Sequence, residues 1–276
     1  MLMSRRLALS LVAASAGLLL AACNKPAPEA AAPAPTPAPV AAPTPAPAPK
    51  ALTVGTDPTY APFEFQNEKG EIVGFDIDVM RAVAEKAGIT VEFVSTPWEG
   101  AFNALAQGDR DLLISAVTIT DERKQTLDFS DSYFDAHQLI AVPEKSTVTK
   151  LDDLKKRKVG VQTSTTGEEV VAKLQGKNSA NIKRFESTPL ALAELAAGGV
   201  DAVVADNGVI DNYVVNNPGA KFKAINDTSF APEQYGIAVK KGNTELLQKI
   251  NTALAAIKAD GTYQKIHDQH FKGAAK

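Results

Sequence analysis

Leu52-Thr53-Val54-Gly55-Thr56 is a short apolar run that reads as a strand, and its alternation with the segments after it decides the class of fold. A helical stretch near Ile77 to Lys86 comes next, then strand Val91 to Ser95, a helix near Phe102 to Ala106, and strand Leu112 to Ser115. The pattern then repeats, with strands Lys158 to Gln162, Ile182 to Phe185 and Ala202 to Ala205, and helices near Gly167 to Lys173, Leu190 to Ala197 and Gly208 to Asn216. Such alternation implies mainly parallel sheets covered by helices on both faces, and two runs of it imply two α/β lobes. A further strand, Tyr235 to Val239, precedes a helix from Glu245 to Ala259 in which Leu246, Leu247, Ile250, Leu254 and Ile257 recur at helical spacing. Those five are core residues, and Gly261-Thr262-Tyr263 breaks that helix and opens a shorter one.

Upstream of Leu52 the chain has a different character. Arg5 and Arg6 precede a mostly apolar run from Leu7 to Leu20 and small residues, a secretory signal pattern over residues 1–22. Leu20-Ala21-Ala22-Cys23 resembles the bacterial lipobox, which makes Cys23, the sole cysteine, the expected site of lipidation and of attachment to a bilayer. Asn24, standing where an inner-membrane retention signal has Asp, favours the periplasmic face of the outer membrane. Residues 25–50 hold ten of the seventeen prolines among Ala and Thr, so residues 23–50 are expected to be the lipidated cysteine and an extended tether. No later segment has the roughly 18 uninterrupted apolar residues of a spanning helix. The remaining 226 residues, from Ala51 to Lys276, suffice for two lobes, and a net charge of −3 with no basic stripe argues against a nucleic-acid partner.

Three stretches carry chemistry. The first is Gly55-Thr-Asp-Pro-Thr-Tyr-Ala-Pro-Phe-Glu-Phe65 with Gly74-Phe-Asp-Ile-Asp78; the second is Thr118-Ile-Thr-Asp-Glu-Arg123 with Asp128-Phe-Ser-Asp-Ser-Tyr-Phe134; the third is Asp201-Ala-Val-Val-Ala-Asp206 with Gln234-Tyr-Gly-Ile-Ala238. Together they resemble the polar-amino-acid family of periplasmic solute-binding proteins (family 3), the capture component of ABC importers. The resemblance implies the two-lobed type II periplasmic binding fold, an α/β architecture of two mixed, mainly parallel sheets. In that family two hinge strands join the lobes, here near Tyr133 to His137 and Pro232 to Gly236. It implies a first lobe of residues 51–134 and 237–276 and a second of 135–236.

A free amino acid carries a carboxylate, an ammonium and a side chain, and each needs a partner once water is excluded. Arg123 offers a planar fork for a carboxylate; read alone it would equally cap a helix or pair with Asp121 or Glu122. The resemblance assigns Arg123 to the ligand carboxylate, with the Thr118 hydroxyl and amide beside it and backbone groups of Ser115 and Ala116 nearby. Thr165 and Thr166 stand after a strand and open a helix whose free N–H groups suit an anion, or simply form its N-cap. Asp206 matches the carboxylate that receives the α-ammonium, its alternative again an N-cap. Asp57, Tyr60 and Trp98 match the side-chain pocket, an aromatic sandwich with one acid that suits an amide or a cation. Gln162 occupies a specificity position that is Lys in some glutamine binders, and Ser164 stands where many relatives have Gly.

The expected function is therefore capture of glutamine or a basic amino acid by lobe closure, and delivery to an ABC permease by a monomeric, lipid-anchored periplasmic protein that needs no cofactor. The alternative is an enzyme resembling cyclohexadienyl or arogenate dehydratases on the same scaffold, in which the ammonium-binding acid is expected to be replaced. No Ser/His/Asp or Cys/His arrangement is identifiable. His267 and His270 share a helix face and are expected on a solvated surface rather than at a metal.

Overall fold

The computed structural model describes residues 50–271, so the expected signal peptide, Cys23 and almost the whole expected tether lie outside the described residues. Strand β1 (Leu52–Thr56) is followed by a small antiparallel sheet of β2 (Thr59–Tyr60), β3 (Glu64–Gln66) and β4 (Ile72–Val73). Helix α1 (Phe75–Ala87) turns Phe75, Ile77, Val79, Met80 and Val83 inward and stops at Gly88, whose left-handed φ of 65° a residue without Cβ adopts freely. Then come β5 (Val91–Ser95), α2 (Trp98–Gln107), β6 (Leu112–Leu113), the single turn α3 (Arg123–Thr126) and β7 (Leu127–Phe129).

The chain leaves this lobe through β8 (Phe134–Ala136) and builds the second from β9 (Gln138–Pro143), β10 (Val159–Gln162), α4 (Thr166–Gln175), β11 (Ile182–Phe185), α5 (Thr188–Ala197), β12 (Ala202–Asp206), α6 (Asn207–Asn216) and β13 (Phe222–Ile225). It returns through β14 (Glu233–Tyr235), antiparallel to β8, and ends in β15 (Ala238–Lys240), α7 (Thr244–Ala259) and α8 (Thr262–Phe271). The first sheet has the order β5-β1-β6-β15-β7 and the second β11-β10-β12-β9-β13, each mixing parallel and antiparallel pairs. This is the type II periplasmic binding fold, with β8 and β14 as the two hinge strands.

Alternation along β9 divides the second lobe's core: Ile140 and Val142 face one side with Val159, Val161 and Val204, while Leu139 and Ala141 face the other with Leu192 and Val203. The first lobe centres on fully buried Phe63, Phe75 and Tyr235, joined by Tyr133, Phe134 and Phe271. Each fully buried Val, Leu, Ile or Phe contributes about 1.5–3 kcal/mol relative to exposure.

Three expectations need correction. Tyr235 to Val239 is not one strand: Tyr235 ends the hinge strand and Ala238 begins β15 in another sheet, with the Gly236 amide bonded to Val117 O between them. Leu112 to Ser115 is paired only over Leu112–Leu113, because the chain turns there into Ala116, which has a φ of 47°. His267 and His270 are not simply surface residues: His270 is largely covered, its Nε2 2.8 Å from Asp78 Oδ2, and the His267 ring, half-exposed, packs 5.0 Å from that of Phe271. Among the described residues no group of His, Cys, Asp or Glu could hold a metal ion, and no helix is long and apolar enough to cross a membrane.

Candidate ligand-binding site

Parallel strands present their carboxyl ends to the cleft between the sheets, the position where open α/β folds take ligands. Asp57 follows β1, Ser115 and Ala116 follow β6, Gln162 ends β10 and Asp206 ends β12. These residues line one pocket together with Tyr60, Trp98, Thr118, Arg123, Thr165 and Thr166. All eleven residues singled out in the sequence thus meet in a single pocket, with one more, Glu64.

Arg123 lies at the start of α3, its guanidinium stacked 4.9 Å from the Phe102 ring centre and 5.3 Å from that of Trp98. Nη1 donates to Thr118 O at 2.9 Å and Nη2 reaches across the cleft to Ser164 O at 3.2 Å. Neither Asp121 nor Glu122 accepts a hydrogen bond from it; those surface alternatives are not the ones the fold uses. Burial lowers its pKa from the ordinary value, and the nearby Glu169, Asp206 and Glu233 offset this in part. Ser164 sits at a φ of 60°, a left-handed conformation that glycine adopts without strain.

Asp206 occupies the N-cap position of α6, yet its side chain makes no cap hydrogen bond and turns into the cavity. It accepts hydrogen bonds from Tyr235 Oη, from the Tyr60 phenol and from Gln138 Nε2. Burial, and then the charge of Glu233, raise its pKa to about 6. Asp57 accepts from Thr59 Oγ1 at 3.0 Å and from the Trp98 amide at 3.3 Å, and burial raises its pKa. Thr165 is the N-cap of α4, accepting the Glu168 amide and donating to Gln162 O.

Several expected contacts are already made within the protein. Thr118 Oγ1 donates to Glu233 Oε2 at 2.8 Å, so its hydroxyl proton does not point to a ligand. The Ala116 amide donates to Asp76 Oδ2 at 2.7 Å, which leaves its carbonyl for other use. Gln162 anchors its amide to Glu186 O and Thr188 Oγ1 and forms wall rather than a free polar tip.

The sequence reading missed Glu64 and Glu233. Glu64 is fully buried, accepts from Ser115 Oγ at 2.9 Å and lines the cavity floor; an acid set between Phe63 and Phe65 at the start of β3 was the available signal. Glu233, in hinge strand β14, accepts from Thr118 Oγ1, from Thr166 Oγ1 at 2.8 Å and from Gln138 Nε2 at 3.0 Å, so it ties groups on both sides of the cleft. Three carboxyl groups, Asp57, Glu64 and Asp206, therefore line the cavity against one guanidinium.

Residues 52–273 match the family described as bacterial extracellular solute-binding proteins, family 3. A probable histidine-binding protein of Neisseria gonorrhoeae is 44% identical over 223 residues, spanning 80% of this chain and 83% of that protein. The L-arginine-binding protein of Pseudomonas aeruginosa is 31% identical, spanning 80% and 88%. Among solved structures, the arginine-, lysine-, histidine-binding protein ArtJ of Geobacillus stearothermophilus aligns with a TM-score of 0.78 at 45% identity, over 81% of this chain and 96% of that one. An ancestral amino acid-binding protein described as a precursor of cyclohexadienyl dehydratase aligns at 0.73 with 38% identity, over 80% and 95%. The chain belongs to the bacterial extracellular solute-binding proteins, family 3.

Proposed function

We propose that this protein captures a basic amino acid, such as arginine, lysine or histidine, by closing its two lobes and passes it to an ABC importer. The observation that carries the reading is the imbalance of three acids over one guanidinium in the cavity. Arginine or lysine, or histidine once it takes up a proton, brings two cations and one carboxylate and reduces that imbalance, whereas glutamine brings one of each. Arg123 would take the α-carboxylate, Asp206 with Tyr60 and Tyr235 the α-ammonium, and Asp57, Glu64 and Trp98 the cationic end of the side chain. Thr165 and Thr166 at the N-terminus of α4 add donors from the second lobe, so closure makes contacts the open form lacks. The names of the histidine- and arginine-binding relatives agree with this choice.

The same reading makes the chain a periplasmic monomer held to a membrane through acylated Cys23, with the tether letting the lobes search for the permease. It is a binder and not a dehydratase, since Asp206 occupies the place where an enzyme of that type would dispense with an ammonium partner. Thermal-shift screening of the protein, stripped of ligand by unfolding and refolding, against all amino acids and prephenate tests this directly. Stabilisation by basic amino acids that Arg123→Ala removes is the expected result; turnover of prephenate, with no response to amino acids, would replace the proposal by the enzyme.

A further inference from the structure

Beneath the cavity two acids share a space with no cation of its own. Glu64 and Asp76 are both fully buried. Ser115 Oγ donates to Glu64 Oε1 at 2.9 Å, and the Ala116 amide and the Tyr133 hydroxyl both donate to Asp76 Oδ2 at 2.7 Å. Each acid keeps one buried oxygen, Glu64 Oε2 and Asp76 Oδ1, with no protein donor, and the two carboxyl groups lie within hydrogen-bonding reach of each other. Two ionised carboxylates in that position would each hold an unsatisfied charge facing a like charge, which buried acids avoid by keeping a proton between them.

The surrounding charges do not remove the need for that proton. Asp57, from the loop after β1, adds a third negative group near Glu64 and works against its ionisation. His270 of α8 lowers the Asp76 pKa only as the smallest of its influences, and its Nε2 lies 2.8 Å from Asp78 Oδ2. Tyr133 and Tyr263 face Asp76 as phenols, Tyr60 faces Glu64, and Arg123 and Asp206 stand elsewhere in the cavity wall.

We propose that Glu64 and Asp76 hold one shared proton in the empty pocket, and that a cationic ligand side chain arriving beside Glu64 expels it. The inference rests on the basic-ligand reading above and adds its proton balance. The carboxylic O–H bond breaks, the proton passes to solvent, and the guanidinium or ammonium takes its place beside the carboxylate. Arginine and lysine arrive already charged, so their capture releases the proton. Histidine arrives mostly neutral above its ordinary pKa of about 6.5, and takes the proton onto its imidazole, so its capture releases none. The pair thereby selects for side chains that bring or accept a positive charge, and a neutral side chain leaves its proton in place.

Titration calorimetry of the whole mature protein in buffers of different ionisation enthalpy, at about pH 7.5 where Asp206 is already ionised, counts the protons. Arginine and lysine are expected to release about one proton each and histidine close to none, and Glu64→Gln to abolish the release by arginine. Tight arginine binding with the same enthalpy in every buffer overturns the proposal, and this needs no variant. If no basic amino acid binds, the functional reading fails, and infrared spectroscopy still judges the pair. A protonated buried carboxyl band in the wild type, lost in both Glu64→Gln and Asp76→Asn, upholds the shared proton, and its absence from the wild type overturns it.

Discussion

Replacing Asp206 by Asn separates binding from folding, because binding is expected to fall while stability holds. In the protein without ligand, burial and the neighbouring Glu233 raise the Asp206 pKa from 3.8 to about 6. A carboxyl whose folded-state pKa is raised adds stability below its unfolded pKa, and that contribution is lost as pH rises through the folded value. The window is therefore pH 3.8 to about 6. At neutral pH keeping this group ionised and buried costs about 3 kcal/mol, from 1.36 kcal/mol per pKa unit. Asn removes that cost but accepts less well from the Tyr60 and Tyr235 hydroxyls and from Gln138 Nε2, a loss of about 1 kcal/mol for each weakened bond. The net expectation is an apo protein of nearly unchanged stability at neutral pH, with a flatter dependence of Tm on pH. Binding does not hold: removing one partner of a buried charge pair costs about 3–5 kcal/mol, or two to nearly four orders of magnitude in Kd. Thermal melts from pH 4 to 8 and calorimetric titration with arginine measure the two. A variant that binds as tightly as the wild type, or one whose apo form is clearly destabilised at neutral pH, refutes the assignment of Asp206 as an ammonium acceptor under electrostatic stress.

Two other residues of the site give further expected outcomes. Arg123→Lys keeps the charge but loses the fork to Thr118 O and Ser164 O and the stacking on Phe102 and Trp98; it is expected to weaken arginine binding by about 1–3 kcal/mol in calorimetry, and unchanged affinity would remove Arg123 from the carboxylate site. Glu233→Gln exchanges an acceptor of three hydrogen bonds for a poorer one. It is expected to enlarge the radius of gyration of the apo protein in small-angle scattering and to raise Kd about 3- to 30-fold, and an unchanged apo radius would show that Glu233 does not hold the lobes together.

The sequence displayed most of the architecture because its strands are short apolar runs separated by helices, a signal that each segment carries by itself. Strand β9 and the edge strand β13 escaped it: Leu139 to Val142 is apolar on both faces, so no alternation marks it, and Phe222–Ile225 owes its pairing to β9 alone. At the site, residues with recognisable motifs were legible down to Gln162. Glu64 was not, because nothing local says that its side chain turns inward under Ser115 to lie beside Asp76. Glu233 was not, because its partners Thr118, Thr166 and Gln138 are 67 to 115 positions away and meet only where the lobes approach. His267 and His270 looked like surface residues by composition and are held against the aromatic core by α8 docking on α1.

The most direct test of a pocket built for a cation compares arginine with citrulline, which matches its shape and lacks its charge. Calorimetric titration of the ligand-stripped protein is expected to give arginine the tighter binding by at least two orders of magnitude, the cost of leaving the Asp57 carboxylate without a positive partner. Citrulline or glutamine binding as tightly as arginine would contradict the account.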